Sequence, residues 1–196
     1  MHRPCSERPP ADCLPPLRLA VAQPPMYWTT VENTACIVAT LEVAAAQYAH
    51  LCVFPELALT GFHRRIREQA LPGVVAPALQ RVGDACRELS IACMLGMPTF
   101  TDGGAVLNSY VFIGADGVVG SAMNKNGPTA AELTFFQRGT GRPVLQFEGH
   151  ACTTVMCREV EDLDDIAAQL QHDPVDRKST RLNSSHPRLS RMPSSA

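Results

Sequence analysis

Three short apolar runs separated by two amphipathic stretches constrain what this chain can fold into. The first, Leu17-Arg18-Leu19-Ala20-Val21-Ala22-Gln23, is stopped by Pro24 and Pro25, as expected of a strand buried on both faces. Thr29 followed by Glu32 gives the capping-box pattern, and Ile37, Leu41, Ala45 and Tyr48 recur at helical spacing, so a helix is predicted to end near His50. Leu51-Cys52-Val53-Phe54 reads as a second buried strand, closed by Pro55 with Glu56 just beyond. Leu79, Val82, Cys86 and Leu89 mark a second helix, and Ile91-Ala92-Cys93-Met94-Leu95-Gly96 a third strand. Strand, helix, strand, helix, strand is the order of an α/β layered fold.

The pattern then changes. Residues 106–113 are β-rich, and Ala115-Asp116-Gly117 supplies a turn before Val118-Val119, which is hairpin chemistry. Residues 144–147 and 151–156 are two further strand candidates around the Glu148-Gly149-His150 turn, so a mixed sheet is predicted. Residues 163–170 read as a helix with acidic residues in the first turn, where they complement the helix dipole. At the ends the character is different. Residues 1–16 hold five of the 16 prolines and no apolar periodicity, and are read as a loose, disordered leader. No Phe, Tyr or Trp occurs after Phe147, and residues 177–196 form a basic Ser/Arg-rich tail outside the fold.

Length and composition fit one soluble domain, taken as residues 17–176: 196 residues, 45% hydrophobic and 18% charged. The formal net charge of −2 conceals a mildly acidic body, since removing the tail leaves 12 basic against 19 acidic side chains. Nucleic-acid binding is not expected without a basic, aromatic-bearing surface. No apolar run reaches the roughly 18 to 20 residues that cross a bilayer, and the start lacks a signal peptide's apolar stretch, so no membrane partner and a cytoplasmic location are expected. The eight cysteines lack CxxC pairs, and several sit inside apolar runs, which suits buried reduced thiols. His150, Cys152 and Cys157 lack a second matching pair of ligands, so no metal site is expected.

Three positions carry candidate chemistry. Glu56 lies at the carboxyl end of an apolar strand, the edge where α/β folds present catalytic groups, and suits a general base; an acid turned to solvent or capping a loop fits the local sequence equally. Lys125 is notable because the only other lysine is Lys178 in the tail. A compact ammonium kept in a chain that otherwise uses Arg suits oxyanion stabilisation, and a solvated loop lysine is the competing reading. Cys157 follows an apolar run and opens an acidic stretch, which places its sulfur at a strand terminus. There it reads either as a nucleophile or as a small buried hydrophobe.

Taken together, these positions resemble the nitrilase superfamily of carbon-nitrogen hydrolases, in order and approximate spacing, from about Leu17 to Leu170. Leu19-Ala20-Val21-Ala22-Gln23 looks like that family's first strand, and Phe54-Pro55-Glu56-Leu57-Ala58-Leu59-Thr60-Gly61-Phe62 is close to its acid motif. Leu107-Asn108-Ser109-Tyr110 is similar to the segment that opens its next hairpin. Glu132, followed by Phe135-Phe136 and Gly139, resembles its second glutamate, which orients substrate and lysine. Two segments depart from the pattern. Asn126-Gly127-Pro128 stands where the family more often has a histidine and leucine, and Arg158-Glu159-Val160-Glu161-Asp162 replaces an aromatic-Pro-Glu stretch.

The resemblance implies a four-layer α-β-β-α sandwich that pairs into homodimers, with mixed sheets and a second half following the cysteine. It implies hydrolysis of a small linear amide, a nitrile or a carbamoyl compound through a Cys157 thioester, without cofactor or metal. Glu56 is then the base, Lys125 and the backbone N–H of Arg158 stabilise the oxyanion, and Glu132 orients the substrate. A non-catalytic member that uses the sandwich for binding remains an alternative, as does an unrelated α/β domain. Residues 177–186 resemble translated adapter sequence, and with the second half incomplete the 196-residue chain is expected to be poorly folded or inactive. Calorimetry and size-exclusion chromatography test that: a broad or absent transition is predicted, and a sharp cooperative melt with a monodisperse peak would contradict it.

Overall fold

The computed structural model describes residues 16–170. The predicted leader, Pro16 excepted, and the predicted tail lie outside the described residues. The order is β1 (Leu19–Val21), α1 (Thr30–Ala46), β2 (Leu51–Val53), α2 (Ile66–Gln69), α3 (Pro72–Leu89), β3 (Ala92–Phe100), β4 (Val106–Ile113), β5 (Val119–Asn124), β6 (Leu145–Phe147), β7 (His150–Cys152) and α4 (Leu163–Leu170). Two 3-10 turns, Glu132–Thr134 and Cys157–Asp162, sit between these elements.

Helix α1 begins as its sequence dictates. Thr29 is extended, its hydroxyl oxygen accepts the Glu32 N–H at 3.3 Å, and its hydroxyl donates to the Glu32 carboxylate at 2.6 Å. The helix ends at Ala46, short of His50, because Tyr48 takes a left-handed conformation with φ 58°. Tyr48, predicted on the buried face, is therefore exposed, and Ala44 closes that face beside Ile37 and Leu41.

The five strands β1 to β5 lie in sequence order in one sheet. β1, β2 and β3 are parallel, and β4 is antiparallel to both β3 and β5. The sheet is thus mixed, as the hairpin pattern predicts. At its edge, β1 differs from the prediction of a strand buried on both faces: Val21 is 53% exposed, and among the described residues no strand pairs with β1 on its outer side. β3 is also longer than predicted, running through Pro98 to Phe100. Its pairing with β4 extends to Phe100↔Val106, whereas β2 stops opposite Met94, so Pro98 falls where β3 has a neighbour on one side only.

Side-chain alternation divides the core between the two faces of this sheet. Cys52, Phe54, Cys93, Leu95 and Ile113 face the helices and pack with Ile37 and Leu41 of α1 and Val82 and Cys86 of α3. Leu51, Val53, Met94, Tyr110 and Met123 form a second cluster on the other face with Met156, covered by Leu145 and Phe147 of the antiparallel β6–β7 pair. Helices, sheet and a second β layer therefore stack in the α-β-β order of the expected fold class. No disulfide joins the described cysteines, and the thiols of Cys86 and Cys93 lie 3.7 Å apart in the core. Among the described residues no helix is long and apolar enough to cross a membrane.

Leu41 is fully buried and Val43, on the same helix, is 59% exposed. In a form of the protein with the second half complete, Leu41→Ala should cost about 2–5 kcal/mol by cavity formation, and Val43→Ala within about 0.5 kcal/mol, read as shifts of the denaturant midpoint at unchanged slope.

Candidate active site

Strand direction assembles the site. β5 runs antiparallel to β4, which runs antiparallel to β3, so the carboxyl ends of β2, β3 and β5 and the start of β4 share one edge of the sheet. Glu56 follows β2 and Lys125 follows β5, and Asn108 lies near the start of β4. That is the edge where open α/β sheets carry their ligands.

The backbone around Glu56 is held tightly. Phe54 N–H donates to Met94 O at 2.9 Å and Leu59 N–H to Gly96 O at 3.1 Å, while Leu57 is left-handed with φ 53°. A side chain at position 96 would have no room. Its Cβ would lie 2.7 Å from Leu57 N and 2.8 Å from Glu56 Cα, and closer still to the Pro55 carbonyl. The glycine in β3 therefore lets the Glu56 turn lie directly on the sheet.

Lys125 is 1% exposed, and its ammonium donates to Glu56 Oε1 at 2.7 Å and to Glu132 Oε1 at 2.6 Å. Both carboxylates are buried as well. Asn108 Nδ2 donates to the same Glu56 oxygen at 2.6 Å and reaches Glu132 Oε1 at 3.3 Å. Glu132 Oε2 accepts the Thr129 N–H at 2.8 Å. Burial works against the charged form of Lys125, but the adjacent charges and hydrogen bonds of Glu56 and Glu132 outweigh it and raise its pKa above the ordinary lysine value. Burial likewise pushes Glu132 up, yet its bonds to Lys125 and Thr129 hold it below the ordinary glutamate value. The solvated readings of Glu56 and Lys125 are excluded by this burial.

Glu56 Oε2 is buried and makes no hydrogen bond to any of the described residues. One carboxylate oxygen is thus fixed by Lys125 and Asn108 while the other is left with its lone pairs available.

Cys157 does not end a strand, contrary to expectation. β7 stops at Cys152, residues 153–156 are irregular, and Cys157 opens a 3-10 turn with φ 49°. A left-handed non-glycine residue costs about 1–3 kcal/mol, so the surrounding contacts must impose it. Burial raises the thiol pKa above the ordinary cysteine value. The Glu56 and Glu132 charges push the same way, and Lys125 and a hydrogen bond from the Arg158 backbone N–H oppose them. The charges of Glu56, Lys125 and Glu132 and the Arg158 amide thus all act on the Cys157 thiol. Among the described residues no group of His, Cys, Asp and Glu is arranged to hold a metal ion.

Two buried polar residues at this site were not singled out from sequence. Asn108 belonged to a recognised segment, but nothing local marks it as a partner of Glu56. Glu159 looked like one acid in a polar stretch; in the structure it is 1% exposed and its carboxylate accepts from Asn126, Gly127, Met156 and Arg142.

Residues 18–162 match the carbon-nitrogen hydrolase family, and the chain belongs to it. It is 27% identical over 150 residues to an aliphatic nitrilase from Rhodococcus rhodochrous, covering 67% of this chain and 40% of that protein. Its fold matches an amidase from Nesterenkonia sp. with a TM-score of 0.66 at 24% identity, over 74% of this chain and 57% of the amidase. It also matches a glutamine-dependent NAD+ synthetase from Acinetobacter baumannii, with a TM-score of 0.67 at 25% identity, over 82% of this chain and 31% of that one. The chain therefore spans less than two thirds of the length of these relatives.

The ion pairs fix how the site responds to substitution and pH. Lys125→Met leaves two buried carboxylates without their cation and should destabilise the fold by about 3–5 kcal/mol. Because the folded pKa of Glu132 is depressed, its contribution is present above the ordinary glutamate value and is lost as pH falls through the lower folded value. Lys125→Met removes the cation that holds Glu132 down, so this acid-side loss should shrink in the variant, whose melting-temperature deficit against wild type should narrow as pH falls. A deficit that does not change with pH would show that Lys125 does not control Glu132.

Proposed function

We propose that this family member hydrolyses a non-peptide carbon-nitrogen bond of a small linear amide through a thioester on Cys157, with Glu56 as base and Lys125 as oxyanion partner. The observation that carries this reading is the division of labour at Glu56: Oε1 is tied to Lys125 and Asn108, Oε2 is buried and makes no hydrogen bond to a described residue, and the Glu56 charge acts on the thiol of Cys157, which sits on a left-handed turn. The neighbours support it. A mutant of the Nesterenkonia amidase carries the acetamide moiety of fluoroacetamide on its active-site cysteine, and another shows Michael addition of acrylamide at the active-site cysteine.

The thiol of Cys157 is held protonated by its surroundings, so attack requires a base. Glu56 Oε2 takes the thiol proton as sulfur bonds to the substrate carbon, and the charge developing on the substrate heteroatom is met by the Lys125 ammonium and the Arg158 backbone N–H. Collapse of the tetrahedral adduct expels ammonia or an amine, which receives the proton from Glu56. Water then attacks the thioester, gives its proton to Glu56, and releases the acid and the thiol. Glu132 holds Lys125 together with Glu56 and orients the substrate.

Tested on a form of the protein with the second half complete, a panel of linear amides, ω-amides, carbamoyl amino acids and nitriles separates amidase from nitrilase and carbamoylase activity. On any substrate that turns over, Cys157→Ala should abolish hydrolysis and Glu56→Gln should lower kcat by about 100-fold to 10,000-fold. A Cys157→Ala protein with undiminished turnover would end this account.

A further inference from the structure

Glu159 lies outside the set that performs the proposed chemistry, yet its carboxylate is buried and fully engaged. Oε1 accepts the backbone N–H of Asn126 at 2.8 Å, the N–H of Gly127 at 3.0 Å and Arg142 Nη2 at 2.9 Å. Oε2 accepts the Met156 N–H at 2.9 Å, and the Glu159 N–H returns a bond to Met156 O at 3.0 Å. Asn126 is joined directly to Lys125, and Met156 directly to Cys157. The bonds from Asn126 and Met156 therefore act one peptide away from groups proposed to react. Arg142, which balances the charge, also donates to Thr154 O in the segment that leads to the cysteine.

We infer that Glu159 is a positioning residue that locks the Cys157 turn to the Lys125 segment, an assignment that rests on the reading of Cys157 and Lys125 as partners. The chemistry of the site requires an ionised carboxylate. All of its partners are N–H donors, so a glutamine would turn an NH2 group toward at least one of them. The geometry requires a side chain that spans two segments distant in sequence, one of which carries a left-handed cysteine that its own backbone preference would not maintain. A misplacement of about 1 Å at such a site costs on the order of 100-fold in rate.

The test compares Glu159→Gln with Gly127→Ala in the form of the protein with the second half complete. An added methyl at Gly127 would sit 3.1 Å from Glu159 Cγ, so it displaces the carboxylate without removing an acceptor and keeps the test open if Glu159→Gln fails to fold. Three quantities are read: kcat and KM on an amide that the protein hydrolyses, the pH profile of Cys157 alkylation by iodoacetamide followed on its own peptide by mass spectrometry, and the thermal melt. Glu159→Gln should lower kcat by about 100-fold with KM changed only a few-fold, and should move the alkylation midpoint down toward that of an ordinary cysteine. Gly127→Ala should do the same to a smaller degree. A lowered melting temperature with wild-type kcat and a wild-type alkylation profile in both variants would overturn the role. Alkylation needs no turnover, so it reports on Glu159 whatever the substrate. Turnover by Cys157→Ala sinks the catalytic reading itself, whereas an inactive Cys157→Ala beside unaffected Glu159→Gln and Gly127→Ala sinks only the positioning role.

Discussion

The ammonium of Lys125, buried between two carboxylates, is the interaction on which the rest of this structure depends. A buried charge is tolerated only when paired and hydrogen-bonded, and here Glu132 follows the lysine closely in the chain while Glu56 comes from a segment distant in sequence. Bringing them together needs β2, β4 and β5 in one sheet with β5 running in the direction of β2. It also needs the turn after β2 to lie directly on β3, which Gly96 permits. The sheet topology and the charge cluster thus specify each other.

From that cluster the organisation spreads outward through neighbouring peptides. Lys125 and Asn108 fix one oxygen of Glu56 and leave the other unpartnered. Glu159 ties the segment after Lys125 to the residue before Cys157, on a turn that a cysteine does not adopt by preference. Chemistry of the proposed kind demands that sulfur, base and oxyanion donors be set before the substrate arrives. Two polar networks, one around Lys125 and one around Glu159, would meet that demand.

Much of the fold was legible in the sequence because apolar period reports burial directly: the three central runs, both long helices and the β4–β5 hairpin lie where the pattern places them. The departures share a cause. Tyr48 fits the helical spacing but takes a left-handed conformation, and β3 runs past Gly96 because β4 supplies a partner that no local pattern announces. Cys157 follows four irregular residues, not a strand, since β7 ends where its pairing with β6 ends. At the site, the scarcity of lysine drew attention to Lys125, and the family resemblance pointed to Glu56, Glu132 and Cys157. Asn108 and Glu159 went unnoticed because a polar residue's buried partners are a tertiary property, and an acid in an acidic stretch reads as solvated.

The central claim is that Cys157 is the nucleophile served by the buried Glu56–Lys125 pair. Exposure to fluoroacetamide followed by peptide mass spectrometry tests it most directly, because every cysteine of the chain competes for the label under the same conditions. The account predicts an acetamide adduct on Cys157 that forms well ahead of any adduct on the other cysteines. Labelling of another cysteine in preference, or of none, would contradict it.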